Sequence, residues 1–299
     1  MAREWRRLLV PPERLAAAAA DQGAKAHLSL APSELHYLRR VLRLRPGQRF
    51  ALVDGAGHLW SATLAAAPEA DRAGEASLRA LLEQPLGRPL QSEPAAAVVL
   101  ELAVALPRQG ADVLLRMACE LGMDRLTPLL AARSAAEPLK PQRQSAILRE
   151  SLEQCERLWL PVLDPPTAAA AALAAPAAAA GGSLLRLLAT TRRQDLPSLE
   201  QRLRQHLPSA AVRGGDGVSA AADQPALEET SCRVCVAIGP EGGWSEAEEQ
   251  TAEAAGWQPV GLGATILRTS TAAVTAAALL AAWRRGLGVS CGTSRPPSP

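Results

Sequence analysis

Apolar residues come first in short runs and later in helical stripes, and the change falls near residue 95. Residues 1–83 alternate strand-like pieces with turns: RRLLV, AHLSL, RFALVDGAGHLWSATLA and ASLRALLE. Asp54-Gly55, with Gly57 close behind, separates two apolar runs and is a hairpin signal. APSELHYLRRVL (31–42) predicts a short helix with Ser33 as its N-cap. A small β-rich barrel is the economical reading of this part. Residues 84–94, QPLGRPLQSEP, hold three prolines and a glycine and predict a linker.

Beyond it, AAAVVLELAVAL predicts a buried strand. GADVLLRMACELG predicts a helix with Val113, Met117 and Leu121 along one face, closed by Gly122. RLTPLLA is the next strand. QRQSAILRESLEQCERLWL is amphipathic, with Ile147, Leu148, Leu152, Cys155 and Trp159 on one side. SLLRLLAT, CRVCVAIG and PVGLG read as strands, while SEAEEQTAEAAG and TSTAAVTAAALLAAWRR read as helices. The Ala-rich tract 168–180 reads as a helix broken at Pro176. Alternating strands and helices over residues 95–288 predict an α/β domain with a parallel sheet covered on both faces. Residues 208–231, rich in Ala, Gly and Asp, read as a flexible insert, and 289–299 as a disordered tail.

Composition narrows the class. Of 299 residues, 48% are hydrophobic and 21% charged, as in a globular protein, but only 3% are aromatic. The core must therefore be built from Ala, Leu and Val. A net charge of +2 leaves any nucleic-acid site to local clustering. Five scattered cysteines are an odd number and make no disulfide framework. No run resembles a signal peptide or a bilayer span, and a cytoplasmic protein is expected. Cys232 and Cys235 look like half a zinc ribbon, but no second pair has the right spacing, and no metal is expected.

The most specific feature is VAIGPEGGWSEAEE (236–249), a glycine-rich turn between a strand and a helix. Such turns commonly bind phosphate. This one has no Lys-Ser/Thr, and Ser245 with Glu248 makes a capping box. Glu246, Glu248 and Glu249 crowd the helix start and would repel a polyphosphate. A neutral or partly cationic ligand fits better. GLGATILRTSTAA (261–273) is a second glycine loop running into a helix, with Arg268 at its mouth and Thr269, Ser270 and Thr271 available as caps. Two such loops at neighbouring strand ends would line one crevice.

IGPEGGWSEAE together with GLGATILRTSTAAVTA resembles the RsmE family, methyltransferases acting on N3 of a uridine in 16S rRNA. HYLRRVLRLRPGQ, RMACELGMDRLTPLLAARS and ESLEQCERLWLP are similar to further parts of that family, in its order. The resemblance implies a SPOUT-type α/β trefoil-knot domain preceded by a small PUA-like β-barrel domain. It implies S-adenosylmethionine as cofactor, lined by Ile238, Gly239, Glu241 and Gly242 on one side and by Leu262, Gly263, Ile266, Leu267 and Arg268 on the other. Ala189 and Thr190 would take a third strand-end position. It also implies a homodimer acting on 16S rRNA of the small ribosomal subunit, with no membrane involved. Here Ser270 replaces the glutamate of the family's Arg-Thr-Glu-Thr-Ala, and Met117 replaces a lysine.

For the chemistry, uracil N3 must lose its proton while negative charge spreads over O2 and O4, and a guanidinium suits that charge. Arg268 is the expected catalytic residue, helped by Arg133 or Arg157. Arg39, Arg40, Arg43, Arg45 and Arg49 are expected RNA contacts, since no acid lies between His36 and Arg49, and Arg133 and Arg157 are expected to join them. The competing expectation is a non-catalytic ribosome-assembly factor that keeps the fold.

Overall fold

A computed structural model describes residues 5–20, 27–66, 78–134, 140–176, 183–191, 193, 195–206 and 232–287. The expected insert 208–231 and tail 289–299 lie outside the described residues. The chain forms two compact units. Among the described residues, one holds 5–95 together with 149–160, and the other holds 96–148 and 161–287.

The first unit contains β1 (Arg7–Leu9), α1 (Pro12–Ala20), β2 (His27–Ser29), α2 (Pro32–His36), β3 (Arg49–Val53), β4 (His58–Ala66), β5 (Leu78–Leu82) and β6 (Gln91–Ser92). Strand order is β1-β3-β4-β5-β2, antiparallel except for the parallel β1–β3 pair. α1 lies where the strand-like pattern predicts no helix; PERLAAAAA starts with a proline and continues in alanine, the strongest helix former. Residues 84–94 do not simply link: β6 pairs antiparallel with β4. Ser33 is not the cap of α2. Ala31 occupies that position, and the Glu34 carboxylate accepts its amide at 2.8 Å. A π-helical turn (Tyr37–Val41) follows, and Arg43 after it takes a left-handed backbone at φ 56°. Leu8, Val10, Leu28, Leu38, Phe50, Leu52, Leu64 and Leu82 form the core.

Residues 157–160 return along the β3–β4 hairpin, with Leu160 N bonding Gly55 O at 2.9 Å and Gly57 N bonding Leu158 O at 3.1 Å. Gly57 sits at φ 97°, and a Cβ there would lie 2.5 Å from Glu93 O and 2.8 Å from the Trp159 ring. A glycine is required at that position. Leu9 N donates to Glu153 Oε1 at 2.8 Å, and Tyr37 hydrogen-bonds the same carboxyl.

The second unit contains β7 (Val98–Val104), α3 (Ala111–Glu120), β8 (Arg125–Leu130), α4 (Pro141–Cys155, shared with the first unit), β9 (Val162–Leu163), β10 (Thr167–Ala168) and α5 (Ala169–Ala174). It continues with β11 (Leu184–Ala189), α6 (Leu199–Gln205), β12 (Cys232–Ile238), α7 (Glu246–Ala254), β13 (Gln258–Val260) and α8 (Thr269–Gly286). The sheet is wholly parallel, in the order β10-β8-β7-β12-β11-β13, with β9 also beside β8. Its central strands are largely apolar, as in parallel sheets covered on both faces, and an ion pair between them joins Arg233 of β12 to Glu101 of β7 at 2.7 Å. The core is chiefly Leu, Ala and Val, with Trp244 and Trp257 in one cluster.

The helix at 111–120 forms where its pattern predicts, but on another face. Ala111, Leu114, Leu115, Ala118 and Cys119 are buried, whereas Val113 and Met117 are 40% and 39% exposed. Two apolar stripes share this helix, and spacing alone cannot choose between them. Arg284 of α8 is buried and donates to Asp124 Oδ2 at 2.5 Å, Gly122 O at 2.8 Å and Val98 O at 3.2 Å. No described helix is long and apolar enough to cross a membrane.

Burial raises the Glu153 carboxyl from its usual range to about 7. The unfolded chain ionises it near 4.5, so the folded state loses stability as pH climbs from about 4.5 to 7 and no further above that. At roughly 1.4 kcal/mol per pH unit, the ionised group costs about 3 kcal/mol at pH 8. Glu153→Gln keeps an oxygen for Leu9 N and should raise the melting temperature at pH 8 while changing it little at pH 5. Equal shifts at both pH values in thermal denaturation would contradict this account.

Candidate functional site

Parallel pairing sets three strand ends level. Ala189 at the end of β11 faces Ile238 at the end of β12 and Val260 at the end of β13. Because β12 and β13 lie on opposite sides of β11, the loops that follow diverge and leave a crevice outside the carboxyl ends. The cavity there has a volume of about 690 Å³.

Its walls are the chain after each strand. Ala189 and Thr190 line it, as do Ile238, Gly239, Glu241 and Gly242 after β12. Leu262, Gly263, Ile266 and Leu267 line it after β13. The expected cofactor residues are thus brought together, with one exception. Arg268 is not among the lining residues. It is the N-cap residue of α8, in extended conformation (φ −65°, ψ 152°), and exposed.

Side chains lock the three loops to one another. The Trp244 indole Nε1–H donates to Ala189 O at 2.9 Å, tying the β12 loop to the end of β11. A Cβ on Gly239 would come within 3.0 Å of that indole, so the ring and the turn pack at the limit of contact. Thr269 does not cap α8, which has no side-chain cap. Its buried hydroxyl donates instead to Gly239 O at 3.0 Å and joins the two glycine loops. The Thr190 hydroxyl donates to Glu249, whose other oxygen accepts from Arg193 at 2.8 Å. Spacing could not reveal these bonds, since each joins residues at least 30 positions apart.

The capping box forms as expected: Glu248 N donates to Ser245 Oγ at 3.2 Å, and Ser245 N donates to Glu248 Oε2 at 2.8 Å. Glu248 is buried and its second oxygen accepts Ala132 N at 2.8 Å. Two of the three acids at the start of α7 are therefore structural. Glu246, Glu241 and Asp195 remain on the crevice wall and keep it hospitable to a cation. Arg133 reaches the crevice, but its Nη1 is committed to Gly242 O at 3.2 Å and Trp244 O at 3.0 Å. It supports the turn. Arg157 belongs to the first unit and does not line the crevice. Thr191, Arg193, Asp195 and Trp244 also line it and were not singled out from sequence.

Among the described residues, the backbone groups of residues 262–267 form no backbone–backbone hydrogen bond. They offer both N–H and C=O groups to a ligand. Near β12, burial pushes the Cys235 thiol well up and also raises Cys232, so both stay protonated and unreactive. Among the described residues no cluster of His, Cys, Asp and Glu could hold a metal ion.

A wholly parallel sheet with a crevice outside its carboxyl ends is the architecture of an α/β ligand-binding domain, and its relatives name its class. The chain matches the RNA methyltransferase domain over residues 94–281 and the RNA methyltransferase PUA domain over residues 30–72. Ribosomal RNA small subunit methyltransferase E of Synechocystis sp. is 33% identical over 276 residues, spanning 91% of this chain and 76% of that protein. The Mycobacterium tuberculosis protein of the same name is 28% identical over 246 residues, 79% of each chain. This chain belongs to the ribosomal RNA small subunit methyltransferase E family.

Solved structures share its fold. A putative methyltransferase from Legionella pneumophila, in complex with SAM, has a TM-score of 0.66 at 21% identity, covering 93% of this chain and 97% of its own. The Neisseria gonorrhoeae ribosomal RNA small subunit methyltransferase E, bound to S-adenosyl methionine, has a TM-score of 0.64 at 23% identity, covering 92% and 96%. The expected α/β methyltransferase domain preceded by a PUA-like domain is observed.

The Thr269 bond is the direct tie between the two glycine loops. Thr269→Val should lower stability by about 1 kcal/mol in urea unfolding, and Thr269→Ser should restore most of it. No difference between Val and Ser at this position would show that the hydroxyl is not the tie.

Proposed function

We propose that this protein is an S-adenosylmethionine-dependent methyltransferase that modifies N3 of a uridine in 16S rRNA, acting in the cytoplasm on the small ribosomal subunit. The observation that carries this reading is the pair of glycine loops at level strand ends, joined by Thr269 and walled by backbone groups.

The residues present suit the cofactor. The crevice volume lies in the range of small-molecule sites. Gly263, at φ 147°, holds a backbone shape that other residues rarely adopt and has no atom within 4 Å of a built Cβ, so backbone lies open at the wall. Glu241, Glu246 and Asp195 complement a ligand that carries a sulfonium and an ammonium, and they disfavour a polyphosphate. Bound there, S-adenosylmethionine supplies a methyl group already activated on sulfur, so the transfer calls for no metal and no covalent enzyme intermediate.

The chain must then hold uracil with N3 facing the methyl group and stabilise the charge left as the N3 proton departs. We assign that task to Arg268, whose guanidinium stays charged; its exposed position at the start of α8, next to the lining residue Leu267, supports the assignment. Arg133 holds the turn that carries Gly242, so its contribution is to positioning. Ser270, half-buried in the first turn of α8, takes the place of the family's glutamate and brings no carboxylate. A homodimer completes the reading, supported by Ile266, 68% exposed beside the crevice, and by Val113 and Met117 on α3.

Labelled S-adenosylmethionine incubated with small subunits lacking the modification should yield 3-methyluridine on nucleoside analysis. No transfer, with subunit binding intact, would favour the assembly-factor role. Arg268→Ala should reduce turnover by roughly 100-fold or more while calorimetric affinity for S-adenosylmethionine stays within about threefold. Near-normal turnover in that variant would remove Arg268 from the chemistry.

A further inference from the structure

The first unit holds a second cavity, of about 870 Å³, which the methyl-transfer chemistry leaves unused. Trp5, Arg6, Tyr37, Arg43, Arg45 and Arg49 are on its wall. Its charge is unbalanced. Arg7, also on the wall, is taken up by Glu156, bonding its carbonyl at 2.6 Å and its carboxylate at 3.3 Å. Arg49 pairs with Glu83 at 2.7 Å. Arg6, Arg43 and Arg45 have no carboxylate partner among the described residues. Glu153, the other acid on the wall, is taken up by Leu9 N and Tyr37. Three unpaired guanidinium groups around one cleft call for an anion of more than one charge.

The rings narrow the choice. The chain has only six tryptophans, one tyrosine and one phenylalanine, yet two of these eight face this polar cleft. Neither Trp5 nor Tyr37 is fully buried. The π-helical turn Tyr37–Val41, closed by Leu42 N on Tyr37 O at 2.9 Å, leads directly into Arg43 with its left-handed backbone. Widened turns of this kind recur at functional sites. Guanidinium groups for phosphate beside aromatic faces for a base are what an unpaired nucleotide needs, whereas a paired base has no free face.

We propose that this cleft is a subsite for an unpaired ribonucleotide of the RNA substrate, its phosphates met by Arg43 and Arg45 and its base stacked on Trp5 or Tyr37. Arg39 and Arg40 do not line the cleft, which divides the arginine cluster into two groups. The inference rests on the rRNA methyltransferase reading and names how the first unit selects single-stranded RNA.

The test uses the full chain with fluorescent single-stranded and duplex oligoribonucleotides of one sequence, followed by anisotropy. Trp5→Ala should weaken single-strand binding about 5- to 100-fold and duplex binding less than about twofold. Trp5→Phe and Tyr37→Phe, which keep their rings, should hold most of the affinity. Arg43→Ala with Arg45→Ala should weaken single-strand binding and lower its salt dependence by about 1.4 in log-log slope. Unchanged affinity in Trp5→Ala, or equal loss for single strand and duplex, overturns the subsite. Free uridine monophosphate competing at micromolar concentration also overturns it, because the cleft would then take a small nucleotide rather than RNA. So does loss of subunit binding with bare-RNA binding intact, which would mark a protein contact. Wild-type methyl transfer to small subunits is measured in parallel. Failure of that transfer removes the function reading, while the oligonucleotide arms judge the cleft independently.

Discussion

The register of three parallel strands is the constraint on which the crevice depends. Ala189, Ile238 and Val260 end at one level because each strand pairs in parallel with β11 or contributes to it. Backbone after those ends can no longer bond within the sheet, so it is free to turn, and glycine permits the turns. Trp244 and Thr269 then fix those turns against Ala189 and Gly239. A slip of one residue in either pairing would invert the strand's faces and move its loop by about 3.3 Å, parting these bonds.

Charge is arranged differently in the two units. At the crevice, Glu248 and Glu249 are consumed by structure, and the remaining acids make a wall for a cation. In the first unit, Glu156 and Glu153 are consumed instead, and arginines remain. A net charge of +2 conceals both arrangements. In each case the charge a ligand would meet is what internal pairing leaves over.

Much was legible in the linear pattern. Alternation of apolar strands with helical stripes announced the parallel sheet, and Ser245 with Glu248 announced its own cap, because those contacts are local. The two glycine loops are legible as short glycine-rich runs, and their expected cofactor residues, Arg268 excepted, line the crevice. Errors came where local rules allowed two outcomes. Val113 and Met117 have helical spacing, yet Leu114, Leu115 and Ala118 won the core. Ser33 has cap chemistry, yet Pro32 fixes the helix start one residue after Ala31, and Glu34 supplies the bond. Residues 84–94 have linker composition, yet Gln91 and Ser92 find an open edge of β4.

By itself, the sequence determined the fold class, the two glycine loops, the capping box and the family, because each is written in neighbouring residues or in short fixed spacings. Tertiary structure alone decided which residues converge. It made Thr269 a tie between loops rather than a cap, set Arg133 to hold a turn, and left Arg268 exposed and outside the crevice lining. It also sorted Arg43, Arg45 and Arg49 from Arg39 and Arg40 and placed Trp5 and Tyr37 with the former. The reason is physical. Hydrogen bonds and leftover charges depend on distances across the fold, and side chains far apart in sequence compete for the same partners.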